Sequence, residues 1–432
     1  MKLDKFKIDV LFNYGSLVLL ASSGIIINCI LVQVYGASVL GKFNLVYAFY
    51  IIISQFSALG VHYAVLRSLS LTENQRIERV SEIVTSAIML VFFIGAFTGF
   101  FVKFLAPMIH YFYNDAFVVN GVLGLAYVLP LFAMNKVIFA AFNGMRQMRL
   151  FAFGQSCRYL LMVSYVALVA FLKLDSFYLI SVFYFSEQCL FLILIPIIFF
   201  VTLKKKICFS KYWIIHHFKF GMDAFLAGVC IEINSRIDVI ILAVFVSSSL
   251  VGIYSFAAMI AEGFALILVV LRNNVNPIIA RLLHDKKYHD LCEFMLHIRR
   301  YTYVTMTIIM VLTFVTYSYL INYFLYDPAL FGSWPVLLII SSCLLLVSGY
   351  LPFSDFLIQA NKPRLQSAQN MLVAVSNILL NFLLTPTFGI VGAAISAGVS
   401  SYIISILLIE WLARNEKLYF LNLHKLKLEY AA

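Results

Sequence analysis

Charged side chains are scarce in this sequence. Only 12% of its 432 residues are Asp, Glu, Lys or Arg, whereas soluble domains carry about 25%. Hydrophobic residues make up 63%, and the mean hydropathy is +0.97. A soluble fold cannot cover so much apolar surface with so few charges, but a bilayer accepts it as helices of about 20 residues. The sequence therefore predicts one membrane domain.

Motifs for chemistry in solution are also missing. The sequence has no P-loop, which argues against an ATP-driven pump in a single chain. Its seven cysteines are scattered, without the paired spacing that a metal site or a disulfide framework needs. We therefore expect neither a metal site nor a cofactor.

Hydrophobic runs recur along the whole sequence. The first follows a basic N-terminus without a small-residue cleavage site, so we expect a retained span instead of a signal peptide. The hydrophilic stretch 272–300 is expected to contain a helix on the membrane surface. Broken at clusters of charge and turn residues, the runs predict twelve spans, near 12–34, 43–66, 83–105, 117–141, 151–172, 177–202, 221–246, 250–271, 301–326, 334–358, 366–388 and 390–412.

The basic residues alternate with these spans. Of the 31 Lys and Arg, 25 lie in the N-terminus, the loops after even-numbered spans and the C-terminal tail. The opposite loops hold only Lys42, Lys103 and Lys173. This asymmetry follows the positive-inside rule and predicts a multi-pass bacterial inner-membrane protein with both termini in the cytoplasm. The net charge of +11 is thereby assigned to topology and to anionic membrane lipids, with no role for nucleic acid.

The two halves of the sequence resemble each other weakly. VLGKF around Gly41 aligns with LVGIY around Gly252, and AFNGMRQMRL aligns with LIQANKPRLQ. Six spans per half is an even number, so the halves would be parallel repeats. We therefore expect an all-α membrane protein of two parallel six-helix bundles around a central cavity. The predicted divisions are an N-terminal bundle at 1–203, a cytoplasmic linker at 204–220, a C-terminal bundle at 221–413 and a cytoplasmic tail at 414–432.

Three segments resemble one family of transporters. They are YGASVLGKFNLVYAFYIIISQFSALG, RIDVIILAVFVSSSLVGIYSFAAMIAE and NKPRLQSAQNMLVAVSNILLNFLLTPTFGIVGAAISAGVS. The third carries the most distinctive pattern, formed by Asn377, Asn381, Pro386, Gly389, Gly392, Ala393 and Ala394. These segments are similar to the polysaccharide-transporter branch of the multidrug/oligosaccharidyl-lipid/polysaccharide exporter superfamily, and most of all to Wzx-type O-antigen flippases.

The resemblance implies a MATE-like fold and a function in surface-polysaccharide synthesis. Such a flippase turns an undecaprenyl-diphosphate-linked oligosaccharide from the cytoplasmic to the periplasmic leaflet by alternating access. The relatives suggest coupling to a cation, and polysaccharide polymerase and chain-length machinery as partners. The small residues that follow Gly389 are also expected to let helix backbones approach closely.

Ionisable residues inside spans are the functional candidates, because each costs about 2.5–3.5 kcal/mol to insert. A diphosphate needs cations, and the fork of arginine fits two phosphate oxygens. The phosphate-facing candidates are Arg158, Arg236 and Lys136. The gate candidates, Arg67 and Arg272, end the second span of each half. The candidates for a coupling ion are Asp223, Glu232, Asp238, Glu262 and Glu187.

Each candidate also has a simpler interpretation. Glu232 and Arg236 lie four residues apart on one helix face, where an internal ion pair would neutralise both. Lys136 would only extend toward the interface, and Arg67 and Arg272 would only anchor the topology.

Two other functions fit parts of the sequence. A cation-coupled multidrug exporter of the same fold would use the acidic residues for cationic drugs, whereas arginines inside spans favour an anion. A membrane-embedded polysaccharide polymerase would present a large periplasmic loop with arginines, but the predicted external loops are short and nearly free of Arg. The sequence therefore predicts a transporter instead of an enzyme.

Overall fold

The computed structural model describes residues 3–70, 77–325 and 328–415. Within these ranges the regular structure is entirely helical, without a β-strand, which confirms the predicted all-α membrane fold. Residues 416–432, most of the predicted cytoplasmic tail, lie outside the described residues.

The first helices cover the N-terminal half of the chain. A 3₁₀ turn at Ser176–Ser181 leads into α6. A π-helical segment, Ile197–Thr202, continues α6. The helices are α1 (Leu3–Ala58), α2 (Val61–Ser70), α3 (Ile77–Tyr113), α4 (Ala116–Gly144), α5 (Met148–Phe171), α6 (Val182–Pro196) and α7 (Lys211–Phe245).

The remaining helices cover the C-terminal half. They are α8 (Ser248–His284), α9 (Tyr288–Tyr319), α10 (Trp334–Val347), α11 (Phe356–Gln359), α12 (Pro363–Gly398) and α13 (Ser405–Asn415). A π-helical segment, Val399–Ile404, joins α12 to α13.

The helices account for twelve membrane spans. Among the described residues, nine helical stretches are long and apolar enough to cross a bilayer. Two of them, Val18–Ala58 and Pro363–Arg414, break at Gly36 (φ 80°) and Gly389 (φ 56°), and each is long enough for two spans. α7 adds one more span, although its predicted span 221–246 contains four charged residues. Gly389 lies at the predicted boundary between spans eleven and twelve.

One sequence prediction is wrong. The stretch 272–300 contains no separate surface helix, because α8 continues to His284 and α9 begins at Tyr288. Only a short turn interrupts the helices, with Lys286 in the left-handed region at φ 55°. The amphipathic pattern belongs to the ends of two long helices that extend past their apolar segments.

The chain divides into two compact units between Glu232 and Ile233, within α7. In unit 1, α3 and α4 pack backbone against backbone. A Cβ on Gly95 would lie 2.7 Å from Pro130 Cα, and one on Gly99 would lie 2.3 Å from the Ala126 carbonyl oxygen. Small residues thus allow two long helices to make close contact where the hydrophobic effect is absent.

The segment that precedes α7 is bound to unit 1. Ser81 Oγ donates to the Lys206 carbonyl at 2.7 Å and accepts from Cys208 N–H at 3.0 Å. Ser86 Oγ accepts from Ser210 N–H at 3.0 Å. Because α7 begins at Lys211, the second half of the predicted linker 204–220 is helical.

In unit 2, the small residues that follow Gly389 make the close contacts that the sequence predicts. A Cβ on Gly392 would lie 2.3 Å from the Leu384 carbonyl oxygen, and one on Gly398 would lie 2.9 Å from Cys343 Sγ. Ala393 and Ala394 are fully buried. These residues therefore pack the chain tightly against itself after the break at Gly389.

The same helix-ending turn occurs at the two aligned positions of the predicted repeat. Gln147 N–H donates to the Phe142 carbonyl at 2.7 Å at the end of α4, and Lys362 N–H donates to the Leu357 carbonyl at 2.8 Å at the end of α11. Both are helix-ending motifs with one left-handed residue, Arg146 and Asn361 respectively. This correspondence differs by one residue from the sequence alignment, which pairs Arg146 with Lys362.

Candidate functional site

Glu187 of α6 is the centre of a buried polar cluster in unit 1. Its carboxylate accepts hydrogen bonds from Tyr50 Oη at 2.7 Å, Asn135 Nδ2 at 2.8 Å and Arg158 Nη2 at 3.1 Å. Arg158 Nε also lies 2.8 Å from Oε1. Glu187 and Asn135 have no solvent exposure. Side chains from α1, α4, α5 and α6 thus meet at one carboxylate.

Aromatic rings enclose this cluster. The Arg158 guanidinium lies 5.1 Å from the Phe132 ring centroid and 5.0 Å from that of Phe139, within the range of a cation–π interaction. Tyr50 stacks on Phe183 with centroids 4.9 Å apart. An anion at Arg158 would therefore compete with a buried carboxylate, at a side chain that is only 14% exposed.

Lys136 of α4 lies close to the same cluster. Its Nζ donates to Gln55 Oε1 at 2.7 Å and lies 5.5 Å from the Phe132 ring centroid. Its charge interacts favourably with the carboxylate of Glu232, which is half-buried on α7. Lys136 thus has partners within unit 1. The sequence alone also allowed a side chain that only extends toward the membrane interface.

Unit 2 contains a second arginine–carboxylate pair. Arg236 of α7 donates from Nη1 to Glu262 Oε1 at 2.9 Å and from Nη2 to Oε2 at 3.1 Å. Their side chains are 24% and 43% exposed, so this pair is open to a ligand. Nearby on α7, the buried Asp238 accepts a short hydrogen bond from the buried hydroxyl of Tyr254.

The asparagines of the family pattern form a ladder of amides. Asn377 Nδ2 donates to the Asn234 carbonyl and to Asn234 Oδ1, both at 3.0 Å. Asn381 Nδ2 donates to Asn377 Oδ1 at 2.8 Å, and Asn234 Nδ2 donates to Ser401 Oγ at 3.2 Å. Asn377 and Asn381 are fully buried. The ladder fixes α7 to α12, so these asparagines have a structural role.

The predicted gate residues differ in their surroundings. Arg67 is exposed at the end of α2, with its guanidinium 5.1 Å from the Phe220 ring centroid. Arg272 of α8 donates from Nη1 to Ser354 Oγ at 3.2 Å, and its Nε lies 3.4 Å from Asp355 Oδ2. Asp223 is exposed on α7.

The structure thus distributes the predicted residues over two clusters. Arg158, Lys136 and Glu187 lie in unit 1, whereas Arg236, Asp238 and Glu262 lie in unit 2. The neutral partners Tyr50, Asn135, Gln55 and Tyr254 were not nominated from the sequence, although Asn135 directly precedes Lys136 within an apolar run. Among the described residues, no three His, Cys, Asp or Glu side chains are grouped to hold a metal ion.

Unit 1 also has an apolar groove of about 680 Å³. α1, α3 and the start of α7 line it, with five phenylalanines that include Phe93 and Phe97, and Thr98 is its one polar residue. The groove suits a hydrocarbon chain but offers little to select one.

Comparisons with known proteins agree with this architecture. The family model described as "Polysaccharide biosynthesis protein" matches residues 10–283, and the MatE model matches residues 224–383. No curated protein sequence matches the chain.

Solved structures share the fold. A lipid II flippase MurJ in an inward closed conformation is 14% identical with a TM-score of 0.73, over 98% of this chain and 91% of that one. An inward-facing MATE family multidrug resistance transporter is 12% identical with a TM-score of 0.74, over 94% and 95%. A MOP superfamily transporter from Pyrococcus furiosus is 10% identical with a TM-score of 0.66, over 97% and 95%. The chain therefore belongs to the polysaccharide biosynthesis protein family, and it shares the multi-pass membrane fold of these MurJ and MATE transporters.

Proposed function

We propose that this transporter flips an undecaprenyl-diphosphate-linked oligosaccharide, an O-antigen unit or a related surface-polysaccharide unit, to the periplasmic leaflet of the bacterial inner membrane. The observation that carries the proposal is the Arg236–Glu262 pair, because it offers a partly exposed guanidinium inside a membrane span. A diphosphate carries charge that hydrocarbon cannot solvate, and a bidentate arginine fork fits two of its oxygens.

In this proposal Glu262 occupies the phosphate-binding nitrogens of Arg236 while no substrate is bound. The end-on pair keeps Arg236 charged and neutralised while no substrate is bound. A phosphate can replace the carboxylate on the same two nitrogens, so the guanidinium stays paired after the exchange. Lys136, in unit 1, stays a separate candidate for contact with phosphate, while the largely buried Arg158–Glu187 pair supports the fold of that unit.

The displaced carboxylate gives the transporter a place for a coupling cation. Glu262, and with it Asp238, Glu187, Glu232 and Asp223, are the candidates for binding a proton or a sodium ion. Coupling is not obligatory on energetic grounds. Two negative charges that move outward across an inside-negative potential of ~100 mV release about 4.6 kcal/mol.

A cation-coupled multidrug exporter is the second candidate. The match of the MatE model to residues 224–383 favours it, and that range contains Asp238 and Glu262. A cationic drug would bind these carboxylates, and it would then compete with Arg236 instead of contacting it.

The experiment that separates these functions is a polysaccharide profile of a strain that lacks the gene. We expect loss of surface polysaccharide, with lipid-linked units trapped in the cytoplasmic leaflet, and recovery when the wild-type gene is restored. Lipopolysaccharide with single units would indicate a lost polymerase. An unchanged profile, in a strain without a second flippase, would contradict the proposal and leave the drug exporter.

A further inference from the structure

Span ten of the sequence prediction is broken in the structure. The run 334–358 predicts one helix, but α10 ends at Val347 and α11 begins only at Phe356. In the first half, α4 is continuous from Ala116 to Gly144, so the break is particular to unit 2. The ring of Tyr303 fills the space beside the break, since a Cβ on Gly349 would overlap it at 2.3 Å.

Two arginines contact the broken segment, 348–355. Arg272 of α8 donates to Ser354 Oγ at 3.2 Å and lies 3.4 Å from Asp355 Oδ2. Arg299 of α9 makes a short hydrogen bond to the Tyr350 hydroxyl, and its guanidinium carbon lies 3.9 Å from the centroid of that ring. Both contacts fall on one segment, which runs as turns and a 3₁₀ helix, Leu351–Phe353, instead of an α-helix.

The charges of this group do not balance. Asp355 is the carboxylate that Arg272 contacts, and Asn276 Nδ2 also donates to it at 2.9 Å. The contacts of Arg299 in the described part of the chain are with the hydroxyl and ring of Tyr350, not with a carboxylate, and its Nε, like that of Arg272, is shielded from solvent without a hydrogen-bond partner there. A half-buried guanidinium with unused donors is a binding group for an anion.

The position of the group indicates which anion it meets. Arg272 and Arg299 lie at the predicted cytoplasmic ends of spans eight and nine, and Tyr350 lies toward the same end of span ten. Lipid phosphates are found at that level of a bilayer, and basic pockets between helices on this side bind anionic headgroups. An arginine that only anchored the topology would extend into water, whereas Arg299 lies on Tyr350.

We infer that Arg299, Arg272, Tyr350 and Ser354 form a binding site for the phosphate group of a lipid. Arg299 and the Tyr350 hydroxyl bind the phosphate, and Arg272, held by Asp355, supplies the second cation. The site itself does not depend on the proposed function; only its assignment to the carrier lipid, in place of a bilayer phospholipid, rests on that function.

Native mass spectrometry of the full-length protein tests the site without transport. The protein in detergent is titrated separately with undecaprenyl diphosphate, with phosphatidylglycerol and with undecaprenol, which has the same chain but no phosphate. We expect the wild type to retain a phosphate lipid and to bind undecaprenol much more weakly. Arg299→Gln should weaken retention about tenfold, while Arg300→Gln, which removes an equal charge from the exposed neighbouring residue, should not.

Tyr350→Phe guards against a folding artefact, because it keeps the ring beneath Arg299 and removes only the hydroxyl. It should weaken retention by a smaller factor than Arg299→Gln at an unchanged melting temperature. Preference for undecaprenyl diphosphate would assign the site to the carrier lipid, and equal retention of phosphatidylglycerol would assign it to a bilayer lipid. Retention of undecaprenol equal to that of its diphosphate, or equal retention by the Arg299→Gln and Arg300→Gln variants, would overturn the inference. Because no transport is measured, either result leaves the proposed flippase activity to its own test.

Discussion

The Nε atom of Arg158 lies 2.8 Å from Oε1 of Glu187, a carboxylate that is fully buried. The other pair, Arg236 with Glu262, has nearly the same separation, 2.9 Å, but is partly exposed. Burial therefore separates two pairs of the same chemistry, and it predicts opposite effects of mutation on stability and on transport.

Removal of one charge from the buried pair should unfold the protein readily. Glu187→Gln leaves the guanidinium of Arg158 buried without a counter-ion, which costs about 3–5 kcal/mol. The thermal melting of purified protein in detergent measures this loss. Glu262→Gln is the matched control and should cost at most about 1 kcal/mol, because its pair is partly exposed. Equal melting temperatures for the two variants would contradict the difference in burial.

Replacement of both partners should restore the fold. In a Tyr50→Phe background, which removes the buried hydroxyl that would lose its acceptor, the double variant Arg158→Met with Glu187→Leu exchanges the ion pair for apolar groups, a change that is often neutral or stabilising. Its melting temperature should return most of the way to that of the wild type. If the double variant is stable and still restores surface polysaccharide, the pair supports the fold only. A stable but inactive double variant would show that Arg158 or Glu187 also acts in transport.

Arg236 should matter for transport far more than for stability. Arg236→Ala should leave the melting temperature nearly unchanged, since a partly exposed pair contributes about 0–1 kcal/mol. It should reduce the recovery of surface polysaccharide in the deletion strain at least tenfold, and Arg236→Lys should restore part of it because charge remains without the fork. The control Arg364→Ala removes an exposed basic residue and should behave as wild type. Normal polysaccharide from Arg236→Ala at normal protein level would exclude Arg236 from the mechanism.

The close approach at Gly392 should not tolerate a methyl group. In Gly392→Ala the new Cβ would lie 2.3 Å from the Leu384 carbonyl oxygen, and overpacking of this kind costs about 1–3 kcal/mol. Gly263→Ala places its Cβ where no atom lies within 4 Å, so it should be neutral or slightly stabilising. Thermal melting of the two variants side by side checks the packing of α12.

His217, on α7 before the predicted start of span seven, should make stability depend on pH. Burial lowers the pKa of His217 to about 4, although its hydrogen bond to the Ile83 carbonyl, 3.1 Å from Nε2, opposes the shift. Its Nδ1 is shielded without a hydrogen-bond partner among the described residues. A second proton would therefore have no acceptor in the folded state.

The sign of this effect follows from proton binding. Between the unfolded pKa of about 6.5 and the folded pKa, the unfolded chain binds a proton that the folded protein does not. The free energy of unfolding should fall as the pH decreases from about 7 to about 4, by up to about 3 kcal/mol. His217→Gln should flatten this slope in melting experiments, and the exposed-site control His297→Gln should not. An unchanged slope in His217→Gln would contradict the assignment.

The sequence predicted the spans well, because hydropathy and the positions of charge and glycine are local properties. Gly389 is an example, since it separates two apolar runs and only a left-handed residue turns the chain there. The break in span ten was missed because Leu351, Pro352 and Phe353 keep the run apolar. Pro352 was the local signal for it, since a proline removes a backbone hydrogen bond of the helix.

The partners within the site were less predictable. Glu187, Arg158 and Arg236 were nominated as charges inside spans, but the choice of Glu262 as a partner of Arg236 depends on the rotation of α8 against α7. The hydroxyl of Tyr50 likewise reaches Glu187 from a distant part of the chain. A single sequence carries no signal for such rotations, so side chains that meet between helices are known only from the structure.

The central claim is that the substrate is a lipid-linked oligosaccharide, and reconstitution tests it most directly. Purified protein is placed in liposomes with undecaprenyl-diphosphate oligosaccharide, and the sugar that becomes accessible to a glycosidase on the opposite leaflet is measured with and without an ion gradient. The account predicts transfer by the wild type and by Arg364→Ala, but not by Arg236→Ala. Absence of transfer under every gradient, together with gradient-driven movement of a cationic dye, would contradict the flippase and identify a drug exporter.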